Sequence, residues 1–362
     1  MKRISSNREE WLSRRQRVAF LTSRRQSGIK KSFKVRTGHR LGRSSPIAVI
    51  RVPPRLVAET EEERSAILQC VYGALDLLNA GKRVRFDFTR TVKAFPGGLL
   101  VLLAYIELML EIFPSKITAS VPHGSLISQL LQHFGFAQKL GCTGTAATHE
   151  SVVKWKFLTG TQADGVKISE LLATYKAVSD AEIPLGLYDV LAEALTNVRH
   201  HAYPEGKSDT PERLRKWWLF SRYEIPTRDK PGRLFLAVYD LGVGIQQSLR
   251  AKLNTGEIVL DAADGLFRLI KLGDTLNIER VLLKRAVEEE RSQTGLSFRG
   301  NGLPEMKDFV MGTTSGRMYI ISGSGQYTCS SADGLSEAFG CKMALPGTLI
   351  LWSIPLGAKS KD

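Results

Sequence analysis

Cysteine is scarce and scattered in this chain. Cys70, Cys142, Cys329 and Cys341 stand far apart and form no Cys-x-x-Cys pair. That argues against a thiolate zinc site and a disulfide framework, and suits a reducing cytoplasm. Long apolar runs are also lacking. The longest, LLVLLAYIELML at 99–110, is too short to span a bilayer and contains Glu107, so a buried helix and no membrane contact are expected. No internal repeat is evident. Acids are almost missing from the first 45 residues, which hold 14 lysines and arginines against Glu9 and Glu10, a net +12. The other 317 residues hold 37 bases and 34 acids, so the overall +15 belongs to the amino-terminal segment rather than to the rest of the chain.

Residues 1–45 have few apolar anchors and read as a disordered basic arm. Its Arg and Ser content is also that of an organelle transit peptide. A solvated tail and a tail that binds nucleic acid, an acidic protein or anionic lipid are both open to it. The whole chain, 362 residues with 43% hydrophobic and 8% aromatic content, is long enough for two soluble domains.

Strand and helix signals alternate over 46–148. IAVIRV (47–52), RVRFDF (83–88) and KITASV (116–121) read as strands. Residues 60–80, the apolar 99–112 and LISQLLQHF read as helices, the first with acids in its opening turn and Gly81 past its end. The pattern is that of a small α/β domain. Its order resembles the STAS family, the fold of bacterial anti-sigma antagonists, through a strand ending in Asp87, a short loop, and a helix opening after glycine. Phosphorylatable members carry Asp-Ser-Ser-Gly in the loop, where this chain has Phe95, Pro96, Gly97 and Gly98. The resemblance implies a module that docks on a protein partner without a serine switch. Thr89 and Thr91 read as strand-end or turn residues.

The remaining residues, 149–362, carry three separated motifs. In LYDVLAEALTNVRHHAYPEG (187–206), Leu187, Val190, Leu191, Ala194, Leu195 and Val198 outline a buried helical face, with Glu193 and Asn197 one turn apart near its edge. LFLAVYDLGVGI (234–245) is an apolar strand ending in Asp240, followed by Gly242 and Gly244. TGLSFRGNGLPEMKDFV (294–310) places Gly300 and Gly302 before Pro304, which suits a first helical position, with Glu305 in the first turn. Glycines at a helix start let phosphate oxygens approach backbone N–H groups at the positive end of the helix dipole.

Taken in order, these motifs resemble the nucleotide-binding boxes of the GHKL superfamily, which includes histidine kinases and the anti-sigma serine kinases. The Gly-Thr of LPGTLILWSIPL (345–356) resembles the last box of kinase-type members, and GRMYIISGSG (316–325) the hairpin before it. The resemblance implies an α/β architecture: an amino-terminal STAS-like domain followed by a Bergerat-fold sandwich, a mixed sheet covered on one face by helices. It implies ATP and Mg²⁺ as cofactors. Asn197 would ligate the metal, and Glu193 would orient or deprotonate the attacking water or hydroxyl. His200, Arg299, Gly300 and Gly302 would lie at the phosphates. Asp240 would accept from the adenine amino group, with Gly242 and Gly244 close to the base and Thr348 supporting Asp240. His201 reads as a packed residue. Residues 246–298 are long for an ATP lid, and DGLFRLIKLGDTLNIERVLLKRAVEEERSQTG (264–295) suggests two helices. A second insertion, 204–232, with Trp217, Trp218, Phe220 and Tyr223, reads as a packing strand.

The expected function is a cytoplasmic Mg-ATP-binding, slowly hydrolysing switch that acts on a protein partner through the STAS-like domain and the lid. A serine/threonine kinase of the anti-sigma kind and a nucleic-acid-associated ATPase using residues 1–45 are the alternatives, and a homodimer is left open. Histidine autophosphorylation is not expected. No helix carries His-Glu or His-Asp followed by proline, and His123, His133 and His149 fit no such pattern.

Overall fold

The computed structural model describes residues 46–178, 181–204, 212–254, 274–288 and 302–358. The basic arm, Arg299 and Gly300 lie outside these residues. The chain divides into two compact units, 1–153 with 209–214, and 154–208 with 215–362. The division falls five residues beyond the boundary expected at 148.

The first unit runs β1 (Ile47–Arg51), β2 (Arg55–Leu56), α1 (Glu61–Asn79), β3 (Arg83–Asp87), β4 (Lys93–Ala94), α2 (Pro96–Ile112), β5 (Ile117–Ser120), α3 (Leu126–His133), α4 (Phe136–Lys139) and α5 (Glu150–Val153). Strands β1, β3 and β5 form a parallel sheet in that order, and β2 pairs with β4, also parallel. Three glutamates, Glu61, Glu62 and Glu63, occupy the first turn of α1, where the helix dipole favours them.

Helix α2 is buried on every face, as its unbroken apolar sequence requires. Its one acid in that run, Glu107, lies 3.7 Å from the Lys139 ammonium. The loop expected at 95–98 is instead the start of this helix. Pro96 serves at the first position, where no N–H is needed, and Gly98 sits where an added Cβ would be 2.2–2.4 Å from the backbone of Leu56 and Val57.

The second unit runs β6 (Trp155–Gly160), α6 (Gly165–Val178), β7 (Ala181–Glu182), α7 (Leu187–Asn197), β8 (Trp217–Glu224), β9 (Gly232–Asp240), α8 (Ile245–Asn254), α9 (Thr275–Glu288), α10 (Gly302–Met311), β10 (Arg317–Ser330) and β11 (Leu335–Ala358). Helix α7 continues as a π-helical turn, Val198–Ala202. The sheet order is β10-β11-β9-β8-β6, with β7 on the end of β11. Every described pair in it is antiparallel, where a mixed sheet was expected. The reason is connectivity: β8 returns as β9, and β10 as β11, through short hairpins that reverse strand direction.

One sheet face packs under the helices. Leu187, Leu191 and Leu195 of α7, Leu283 and Val287 of α9, and Met306 and Val310 of α10 meet Leu234, Leu236, Val238, Ile350 and Trp352 in one core. On the opposite face Trp218, Phe220, Ala237, Tyr239, Leu349 and Leu351 are buried too. Burial of both faces accounts for the apolar runs Leu234–Tyr239 of β9 and Leu349–Trp352 of β11, which show no polar alternation. The aromatic insertion is strand β8, packed as expected. No described helix is long and apolar enough to cross a membrane.

Candidate functional site

Asp240 is the last residue of β9 and is buried, with 4% exposure. In register it lies between Trp217 of β8 and Thr348 of β11. Its Oδ1 accepts the N–H of Gly242 at 2.6 Å, closing an Asx turn that carries the chain off the sheet. Three glycines let other segments close on this turn. A Cβ on Gly242 would stand 2.3 Å from that of Ala202. Gly244, at φ +83°, would bring one within 2.9 Å of Ser322 Oγ, and Gly347, at φ +81°, within 1.9 Å of the Asp240 carbonyl oxygen.

Hydrogen bonds fix the same contacts. Val243 N–H donates to Ala202 O at 2.8 Å, and Ile245 N–H to Ser322 Oγ at 2.9 Å. Ser322 Oγ donates in turn to Gly347 O at 3.0 Å and lies 3.2 Å from Thr348 Oγ1. Tyr203 Oη accepts from Leu241 N–H at 3.2 Å and donates to Lys216 O at 2.8 Å, tying the end of the helix to the ends of two strands.

Ala202 ends the element that carries Glu193 and Asn197. The apolar positions Leu187, Val190, Leu191, Ala194 and Leu195 of α7 are buried, leaving Glu193 and Asn197 part-exposed on its edge. Asn197 is the last α-helical residue before the π turn, a distortion often found at functional sites. His200 is exposed, with its ring 6.4 Å from that of the half-buried His201. At about 1.5 Å per residue, the nine steps from Glu193 to Ala202 span roughly 13 Å.

Gly302 opens α10 and meets Glu193. A Cβ on it would lie 2.2 Å from Glu193 Oε1. Pro304 is the third residue of the helix rather than the first, still within the turn whose N–H groups have no helical acceptor. Between α7 and α10 is an open cleft of about 170 Å³, lined by Asp189, Val190, Glu193, Glu305, Met306 and Phe309 among others. Neither Asn197, His200 nor Asp240 lines it.

The segment expected as a lid contains two described helices, one of them unforeseen. Helix α8 leaves directly from Gly244, and Gln246 Nε2 donates to Ser322 O at its base. Helix α9 belongs to the core: Leu283 and Val287 are fully buried, and Glu279 accepts the N–H of Ser324. Burial raises the pKa of the Tyr327 hydroxyl, which donates to Glu288 Oε1 at 3.2 Å. Residues 255–273 and 289–301 lie outside the described residues.

The structure thus brings Glu193 to Gly302, and Asp240 to Gly242 and Thr348, with one helix joining the two groups. Ser322, Tyr203 and Gln246 went unread in the sequence. Ser322 had a signal in the glycine-flanked ISGSG run; Tyr203 and Gln246 had none. Among the described residues, no three His, Cys, Asp or Glu side chains are placed to hold a metal ion. A cation here would need a ligand set with few protein donors. The chain matches no family model, no curated protein and no solved structure.

Proposed function

We propose that residues 154–358 bind Mg-ATP and work as a slowly hydrolysing conformational switch on a protein partner. The observation that carries this reading is the convergence on Asp240 of Ala202, Ser322 and Gly347, three segments distant in sequence, through glycines that admit no side chain. A carboxylate accepts several donors at its two oxygens, a chemistry that suits an exocyclic adenine amine and rejects the carbonyl that guanine presents there.

Asn197 offers a neutral amide oxygen, and Mg²⁺ is a hard ion that keeps several waters and takes the rest of its shell from phosphates. When bound, the ion neutralises phosphate charge. Glu193, one turn before Asn197 and part-exposed, is placed to hold a water or hydroxyl proton at its carboxylate. Asn197 orients the phosphate end, and Asp240 holds the base at the other end of the helix.

Calorimetry with ATP and magnesium tests the reading. The parent chain binds, and Asp240→Ala binds about 5-fold to 150-fold more weakly, the loss of roughly 1–3 kcal/mol expected for an unpaired buried polar group. Label from γ-labelled ATP appears as free phosphate. Appearance on a co-purifying protein assigns a kinase instead, and absence of binding by the parent removes the nucleotide reading altogether.

A further inference from the structure

Parallel sheets are ordinarily covered on both faces. The β1-β3-β5 sheet is not. Ala48, Ile50, Val84, Phe86, Ile117 and Ala119 fill its inner face. On the outer face Val49, Arg51 and Arg85 are exposed, and Arg83, Asp87, Thr118 and Ser120 are part-exposed. The register sets Arg85 between Val49 and Thr118, and Asp87 between Arg51 and Ser120. Arg83 lies two residues before Arg85, hence on the same face, and Lys116 directly precedes β5 with its Nζ 3.4 Å from Gly81 O.

The charge on this face is not cancelled from within. Asp87 is its one acid, and its carboxylate interacts with Arg51. No ion pair is formed by Arg83 or Arg85 among the described residues. Two free guanidinium groups, a third partly neutralised, and the hydroxyls of Thr118 and Ser120 are left on a flat surface.

We infer that this open face binds the sugar-phosphate backbone of nucleic acid. A protein partner would want an apolar centre to its interface, with charge depleted there. Here the apolar contribution is Val49, 37% exposed, and the part-exposed Ile47 beside Arg83, at the edge of a face otherwise made of arginines, Asp87 and hydroxyls. A phosphate backbone wants what is present: guanidinium forks that engage phosphate bidentately, and hydroxyl donors beside them. The face has no aromatic residue on which a base could stack, so binding is independent of sequence and strongly dependent on salt. Like charge argues against the chain's own residues 1–45 as the cover. Their net +12 leads into β1 and adds to the attraction for the same polyanion. The inference does not depend on nucleotide binding in the second unit.

The experiment compares the full chain with R83E/R85E and with R228E/K230E, which makes the same charge change on an exposed turn of the second unit. Fluorescence anisotropy follows labelled single-stranded and duplex DNA without ATP, across a salt series, and thermal melting checks that each variant folds. R83E/R85E is expected to bind about 10-fold more weakly or worse near 100 mM salt, with the slope of log K against log salt reduced by about 1.5, the loss of two phosphate contacts. The turn variant should stay within about 2-fold of the parent on the same argument. Equal losses in both variants would reduce the effect to net charge and overturn the site. Binding of R83E/R85E with the parent's slope would overturn it as well. Displacement of DNA by poly-glutamate at equal charge concentration would make the face a surface for acidic proteins.

Discussion

Gly347 and Asp240 approach so closely that a Cβ on the glycine would lie 1.9 Å from the aspartate's carbonyl oxygen. The obstacle is backbone, which cannot rotate away. Gly347→Ala therefore suffers the left-handed φ of +81°, a cost of about 1–2 kcal/mol, and a clash besides. A loss of about 3 kcal/mol or more is expected, lowering Tm by roughly 6–12 °C for a unit of this size. Gly334→Ala is the comparison. Its φ is +69° but nothing lies within 4 Å, so only the torsional cost applies. Equal melting shifts for the two would show that the chain at Asp240 yields more easily than its geometry implies.

Gly302→Ala separates stability from turnover. The added methyl meets the flexible side chain of Glu193 rather than main chain, and Gly302 is not among the glycines with positive φ, so Tm should change little. Turnover of ATP should fall by about 10-fold or more because the carboxylate is displaced. Glu193→Ala should lower it by roughly 100-fold with affinity for Mg-ATP nearly unchanged. Steady-state phosphate release beside calorimetry on both variants checks this. An undiminished rate in Glu193→Ala would remove that residue from the chemistry.

Thiol labelling reads the burial of the cysteines. Burial pushes the Cys70 thiol up to about 12 and that of Cys329 to about 11, so thiolate is negligible at pH 8. Cys341 is buried as well, and Cys142 is half-buried. An aromatic disulfide reagent should therefore titrate Cys142 first in the native protein, and all four thiols in denaturant. Reaction of Cys70 as fast as Cys142 would mean that the first unit opens readily.

Acid stability should depend on Asp87. Burial raises its pKa, but hydrogen bonds from Thr89 and Ser120 and the charge of Arg51 lower it by more, so the net value is below the ordinary one. A depressed folded pKa adds stability that is complete above the unfolded value, about 4, and is lost as pH falls through the folded value. Asp87→Asn should be less stable than the parent in urea at pH 7, with the difference shrinking as the pH drops below about 4. A difference that stays constant from pH 7 to pH 3 would assign the effect to shape rather than charge.

Strand and helix positions in the first unit were legible because their apolar periods are regular, and β3 and α1 stand within a residue or so of where the pattern puts them. The short β2–β4 pair escaped notice, since two residues carry no period. The start of α2 was hidden by Pro-Gly-Gly, which signals a loop in sequence and here serves a close crossing of backbones. In the second unit the local pattern told strand from helix but not parallel from antiparallel, which is decided by connections. The positions of Glu193 and Asn197 on a helix edge and of Asp240 at a strand end were legible through spacing. The glycines after Ser322 hinted at an irregular strand, but its role was not legible, because it comes from the register shifts between Ser322 and Gly325 that only pairing with β11 creates.

The π turn at Val198–Ala202 has a further consequence, for the angular phase of the helix. A π turn closes its hydrogen-bonded loop with one residue more than an α turn, and one residue is roughly 100° of rotation about the axis. Helix length sets how far Glu193 stands from Ala202, whereas this added residue sets the direction in which it points. Deleting a single residue from the turn would preserve the core of α7 and the anchor of Ala202 on Val243, yet swing the two out of phase. Glu193 and Asn197 would then point roughly 100° away from their present direction relative to Ala202, which is pinned beside Gly242 and Val243.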